Sequence, residues 1–441
     1  MTSKINTTSD SSSSPTSTSS WYPWLICGLA AAFYCYEYLL RIAPSAMIPE
    51  LMSTFGVSAA SIGLLSTYYF LAYTPMQFPV GVLMDKYGPR RILTLAVLCC
   101  AIGMGLMGLS SAFQVALAGR FLIGFGSAFA FVGVLKLATL WLPANRFAFI
   151  AGLTTTLGMI GAMFGQNILK SMVIVSGWES TIIYFGLIGF MLAPIIWFVV
   201  RDTPHESSQT PQEIEKNKLS YGQLYQDILK VFKNHQIWIN GLIGGLIILP
   251  TTIFAELWGA PFLKLNYGFT EQSAVLATSM IFLGWAVGSP LMGFLSDHFK
   301  RRRAPLILGA LAGMVVFSIV LYSSNLPDYM VFGLLFLFGV ISSVEVIVFA
   351  VARESSPASV AGTAIAMTNF LVVCAGPFQW VVGKLLDNLW DGTMVASQPL
   401  YTIENYHVAL LLCPISMCLA FLLAFTLKET HCQTFLEKIE N

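Results

Sequence analysis

One short sequence occurs twice in this chain, each time between two long apolar runs, and that repetition constrains the fold more than any other feature. Gly81-Val82-Leu83-Met84-Asp85-Lys86-Tyr87-Gly88-Pro89-Arg90-Arg91 is the first copy, and Gly293-Phe294-Leu295-Ser296-Asp297-His298-Phe299-Lys300-Arg301-Arg302-Arg303 the second. Setting Asp85 on Asp297, an offset of 212, also aligns Gly81 with Gly293, Leu83 with Leu295 and Arg90-Arg91 with Arg302-Arg303. A second pair agrees within two residues, because Ala151-Gly152 and Ala361-Gly362 each open an apolar segment at an offset of 210. Two related halves of about 210 residues follow. An internally repeated chain of many membrane helices is the pattern of a secondary transporter, whose substrate site lies between the repeats.

The helices are legible from composition. Hydrophobic residues make up 56% of the chain and charged ones only 10%, where a soluble domain carries about 25% charged. A run of about 20 apolar residues spans a bilayer, and twelve such runs are expected: 21–48, 58–83, 91–112, 114–141, 147–172, 178–200, 236–263, 270–295, 304–324, 328–352, 360–386 and 405–427. Strand-like alternation is absent, so the class is an all-α membrane protein with two pseudo-symmetric six-helix bundles, 21–200 and 236–427. Residues 1–20 form a Ser/Thr-rich tail without the apolar core of a signal peptide, expected to be disordered. Between the bundles, 201–235 reads as a linker. Its later part puts Leu224, Ile228, Val231 and Phe232 on one face of a helix suited to lie on the membrane surface. Residues 428–441 form a second tail, and 387–404 a long irregular loop.

Lysines and arginines concentrate in one set of loops, including Lys86, Arg90, Arg91, Arg146, Arg201 and Lys300 to Arg303. The opposite set holds only Lys170, Lys264 and Lys384. The positive-inside rule then puts both termini in the cytoplasm. A formal net charge of +1 points to no nucleic acid. Eight dispersed cysteines show no metal-ligand or redox spacing, the five histidines are scattered, and no phosphate-binding loop is present. No cofactor and no metal are expected, and short loops leave no room for a soluble catalytic domain, so an enzyme is not expected.

From Trp21 to about Lys428 the chain resembles the major facilitator superfamily. Its loop signature G-x-L-x-D-x-x-G-x-R-R matches Gly81, Leu83, Asp85, Gly88, Arg90 and Arg91, and the second copy departs from it with Lys300 at the central glycine. The fourth-span signature R-x-x-x-G-x-G matches Arg120, Gly124 and Gly126. Gly152, Gly158, Gly161 and Gly165 stand in span 5 without the proline of the drug-antiporter signature. Ala43-Pro44-Ser45, Glu256-Leu257-Trp258-Gly259 and Ala361-Gly362-Thr363-Ala364 resemble a bacterial branch that includes phagosomal transporters of vacuole-dwelling pathogens. That branch implies import of amino acids or nucleosides, and the superfamily implies proton coupling or helix locking for Arg120.

Charges inside spans cost about 2.5–3.5 kcal/mol each at a helix centre, so each is expected to face a cavity or a partner. Glu37 and Arg41 lie four residues apart on one face of span 1, flanked by Tyr34 and Tyr38. The pair suits a zwitterion, or else the two charges neutralise each other structurally. Glu256 follows Pro250 and precedes Trp258, as a polar gate or proton acceptor would. Gln166, Asn167, Asn369 and Gln379 place amides in spans 5 and 11, for the cavity or for helix pairing. Glu345 has Ser342 and Ser343 beside it as structural partners, and Lys136 can snorkel to the surface. Substrate contacts are therefore expected from Tyr34, Glu37, Tyr38, Arg41, Glu256, Trp258 and Asn369, and proton coupling from Glu37, Arg120 and Glu256. Gly81, Asp85, Gly88, Arg90 and Arg91, with Asp297, Arg302 and Arg303, are expected to form a latch that makes and breaks as the halves rock. The expected whole is a monomeric carrier in a bacterial inner membrane. It takes up a small polar solute, an amino acid or nucleoside, with protons. The alternatives are an exporter or exchanger of small organic anions with Arg41 and Arg120 as contacts, and, more distantly, a membrane receptor or scaffold.

Overall fold

In the computed structural model the described residues are 21–142, 147–202, 229, 231–323, 325–356, 360–395 and 398–433. Among them, eleven helices are long and apolar enough to cross a membrane: Tyr22–Ala46 (span 1), Pro89–Leu109 (span 3), Phe113–Trp141 (span 4), Leu153–Ser176 (span 5), Trp178–Val199 (span 6), His235–Tyr267 (span 7), Glu271–His298 (span 8), Arg303–Tyr322 (span 9), Asp328–Glu354 (span 10), Ala361–Leu389 (span 11) and Ile403–Ala424 (span 12). Span 2 is Ala59–Met76, continued past a break by Pro79–Tyr87. A short helix, Ile48–Phe55, precedes span 2 at 108° to it, and Gly56, in the left-handed conformation, makes the corner. Helices are what a bilayer permits, since each satisfies its own backbone polar groups. Asn234, Thr270 and Thr402 cap three of them by accepting from Gln236, Ser273 and Asn405 N–H groups.

Large apolar side chains such as Leu71, Leu109, Val175 and Phe198 are exposed, which fits a surface facing lipid. The loop expected to be irregular contains a short antiparallel pair, Met394–Val395 with Gln398–Pro399, closed by Leu400 N–H on Thr393 O at 3.0 Å. The amphipathic segment of the linker lies outside the described residues except for Leu229 and 231–233, where Val231 is buried.

In each half the helix after the signature loop is capped by a carboxylate that follows that half's last span. Gly88 takes φ +82° beside Asp202, so close that a Cβ would sit 2.7 Å from the carboxylate. Asp202 accepts the Arg90 N–H at 2.8 Å, while the Arg90 guanidinium bonds Trp197 O at 2.7 Å and lies over that ring. After span 12, Glu429 plays the same part, accepting the Arg302 and Arg303 N–H groups at 2.7 and 3.0 Å. A carboxylate at a helix N-terminus satisfies orphan donors and meets the positive end of the dipole.

The halves meet along two seams, span 2 against span 11 and span 5 against span 8. At the end of the bundle opposite the chain termini, Lys170 joins Glu50 of its own half at 3.2 Å to Glu271 of the other at 2.6 Å. On the other seam, Asp387 of span 11 accepts from Ser58 Oγ at 2.5 Å, from Ala60 N–H at 3.1 Å and from Tyr401 Oη at 2.6 Å. The N-terminus of span 2 is thus capped from the other half.

Candidate functional site

Midway along the seam, spans 1, 2, 5, 7, 8 and 11 enclose a small cavity of about 30 Å³, lined by Tyr38, Arg41, Phe70, Thr251, Glu256 and Trp285, among others. Such a space admits water, and an organic solute enters only if the walls part.

The Arg41 wall is built by a break in span 1. Pro44 carries no N–H, so the Leu40 carbonyl four residues back has no helical donor. Arg120 of span 4 supplies one: its Nη1 donates to Leu40 O at 2.8 Å and Nη2 to Arg41 O at 3.2 Å, with Nε on Leu65 O at 3.4 Å. The guanidinium also lies 5.0 Å from the Tyr69 ring. Gly124, one turn on, lets span 4 reach span 2, since a Cβ there would meet Tyr69 O at 2.0 Å. Span 1 turns 3-10 at Ala43–Ala46.

Glu37 and Arg41 pair at 2.8 Å, and Tyr69 Oη donates to the same Glu37 oxygen, Oε1. The other oxygen, Oε2, is buried with no hydrogen-bond partner. The Arg41 guanidinium sits 4.4 Å from the Tyr38 ring and 5.1 Å from Tyr73, an aromatic cage that holds a cation in place.

Span 7 makes the opposite wall. After Pro250 the helix widens into a π-helix over Thr251–Trp258, which re-aims Glu256 into the cavity wall. Gln379 of span 11 ties this stretch down. Its Nε2 donates to Thr252 O at 2.7 Å and to Glu256 Oε2 at 3.2 Å, while its backbone carbonyl accepts the Trp258 indole N–H at 2.9 Å.

The sequence-derived residues therefore divide. Tyr38, Arg41 and Glu256 line the cavity, with Glu37 directly behind Arg41. Tyr34 packs on Tyr38 and Phe131, behind that wall. Trp258 is 1% exposed and uses its indole within the bundle. Asn369 donates to Gln77 Oε1 at 2.7 Å across the seam, toward the end that carries the termini. Arg120 is spent on the backbone of span 1. In the loop motifs, Arg91 is exposed, Gly81 lies on the helix Pro79–Tyr87, and the Asp85 side chain lies outside what is described. Arg302 pairs with Asp297 and with Glu354, each at 2.7 Å. Tyr69, Asp387 and Asp202 carry no mark of a site in the sequence, whereas Gln379, like Asn369, is expected at the cavity or between helices. For Gln379, only its amide in an apolar span was a signal; Tyr69 looks like any core aromatic.

The sequence model of the Major Facilitator Superfamily matches residues 26–378. The chain belongs to that superfamily. It is a multi-pass membrane transporter and not an enzyme. Among proteins it is similar to, a probable sulfoacetate transporter, SauU, of Cupriavidus necator is 23% identical over 66% of this chain and 71% of that protein. A probable L-galactonate transporter of Escherichia coli is 26% identical over 61% of each. The membrane sensor protein UhpC of Salmonella typhimurium is 24% identical over 90% of this chain and 91% of its own. In fold, the chain is similar to a bacterial homolog of the human lysosomal transporter Spinster in an inward-facing, unoccupied conformation, with a TM-score of 0.74 at 16% identity, covering 93% of this chain and 98% of that one.

Proposed function

We propose that this chain moves a small organic anion across a bacterial inner membrane together with protons, both termini lying in the cytoplasm. The observation that carries the reading is Arg41, a caged cation at the cavity wall whose only ionic partner among the described residues is Glu37. A substrate carboxylate or sulfonate competes with Glu37 for that guanidinium. A proton on Glu37, whose Oε2 has no other partner, removes the competitor and leaves Arg41 for the anion. Substrate and proton then favour each other's binding, which is the thermodynamic content of symport. Two relatives described as carriers of sulfoacetate and L-galactonate support an organic acid over the amino acid or nucleoside expected from the sequence.

The test is counterflow in proteoliposomes with sulfonated and hydroxylated organic acids beside amino acids and nucleosides. Organic acids are expected to exchange. Arg41→Lys, which loses the planar fork, is expected to lose that exchange. Glu37→Gln, an analogue of the protonated acid, is expected to keep counterflow while its accumulation under a pH gradient falls. Exchange of amino acids alone, or undiminished accumulation by Glu37→Gln, would falsify the reading. A sensing role is the second reading, because a relative matched over 90% of this chain is described as a membrane sensor protein. A ligand that stabilises the protein without any counterflow would favour it.

A further inference from the structure

Span 10 holds a carboxylate that the proposed cycle does not use. Glu345 lies in a 3-10 turn, Ser343–Val346, that interrupts the span between Asp328–Ser342 and Ile347–Glu354. It is 4% exposed, and its Oε1 is buried with no hydrogen-bond partner. The serines expected to satisfy it do not. Ser343 Oγ donates to Val340 O at 2.6 Å, and Ser342 Oγ is itself buried without a partner. Ser342 stands three residues before Glu345 and Val348 three after, so the three share a face. Span 7 packs on that face: Asn240 Nδ2 donates to Val348 O at 2.7 Å, and Asn240 Oδ1 is left without a partner.

Among the described residues no charge answers Glu345. Spans 7, 8 and 9 pack against its turn. Their titratable groups among the described residues stand at the helix ends: His235, Lys264 and Tyr267 on span 7, Glu271, Asp297 and His298 on span 8, Arg303 and Tyr322 on span 9. The exception is Glu256, itself an acid. On span 10, Asp328 and Tyr329 are at one end, and Arg353 and Glu354 are two turns away at the other, with Glu354 bound to Arg302. An ionised carboxylate held among apolar helices without a counter-ion or full hydrogen bonding is the costliest state available to it; a bound proton removes the charge.

We propose that Glu345 is a proton-binding site in the second half of the carrier, separate from the Glu37–Arg41 pair in the first. In the state described here, closed at the end opposite the termini, it holds its proton as a neutral acid. The chemistry is one O–H bond made from a water-borne proton when the site is wetted, and broken when it is wetted from the other side. The break in span 10 is the element that rocking would open. Built on the transport reading above, this makes the cycle carry one proton with Glu37 and another with Glu345.

Two measurements decide it. In the infrared spectrum of the purified full-length protein, Glu345→Gln is expected to lose one C=O stretching band of a protonated carboxylic acid that Glu37→Gln retains. Gln matches the neutral acid in shape, so an unchanged melting temperature is expected as well. Retention of every protonated-acid band, or failure of Glu345→Gln to fold, overturns the proposal. In proteoliposomes, Glu345→Gln is expected to keep substrate counterflow and to lose one proton per substrate, read from the reversal potential. An unchanged reversal potential overturns the role in coupling, and so does accumulation driven by sodium in place of protons. If the wild type moves no protons with substrate, the transport reading fails by itself, and the infrared band still decides whether Glu345 holds a proton.

Discussion

Pro44 and Arg120 are one device at the scale of single residues. The proline removes the donor for the Leu40 carbonyl, and the arginine of a different span restores it. Arg120→Ala leaves buried carbonyls unpaired at a cost of about 1–3 kcal/mol for each such group, and is expected to lower the melting temperature and slow transport. The same change in a Pro44→Ala background is expected to recover part of the stability, because residue 44 then has an N–H for Leu40. A double variant no more stable than Arg120→Ala alone would show that Arg120 acts through charge and not through the broken helix. Glu37 and Arg41 could be paired from their spacing alone. Nothing in the sequence marked Tyr69 as the third member, since its partners stand 28 and 32 residues away in the chain.

At the scale of elements, the closed end is held by caps and ion pairs that cross between halves. Asp387 caps span 2 only while span 11 lies beside it. Asp387→Asn keeps the shape and removes the charge; hydrogen bonds to a charged acceptor exceed those to a neutral one by about 1 kcal/mol, which is about a five-fold shift toward the state open at that end. A cysteine at Thr252, on the cavity wall, is then expected to react faster with impermeant reagent added at that end. An unchanged rate would mean the cap holds the helix end but not the closure. Asp202 and Glu429 show the same logic within halves. Each follows the sixth span of its bundle and caps the helix after the repeated loop. The repeat was visible in the loops themselves, but its capping carboxylates lie in the linker and tail, where the two halves no longer align.

Alternation between states requires one end to open as the other closes, and the cavity here, about 30 Å³, is small for an organic solute. Charge placement in the loops predicts which end faces the cytoplasm. In a cysteine-depleted chain, a cysteine at Met394 is expected to label from outside intact cells, and one at Tyr87, exposed at the opposite end, only after permeabilisation. The reverse pattern would invert the membrane orientation and with it the direction of the proposed transport.

Hydropathy by itself determined eleven of the twelve expected spans to within a few residues, the broken span 2 being the exception, and the repeated loop pointed to the two halves, because a bilayer tests each segment separately for length and apolarity. It also singled out the buried charges, since charge in an apolar span is conspicuous whatever surrounds it. Which of those charges meet was decided only in three dimensions. Arg41 and Glu256 share a cavity, Arg120 is consumed by a backbone 79 and 80 residues away in sequence, and Trp258 turns into the bundle. The reason is rotational. A 3-10 turn in span 1, a π-helix in span 7 and a 3-10 turn in span 10 each shift the register of the side chains beyond them. The face a residue presents thus depends on packing between helices that the linear pattern does not encode.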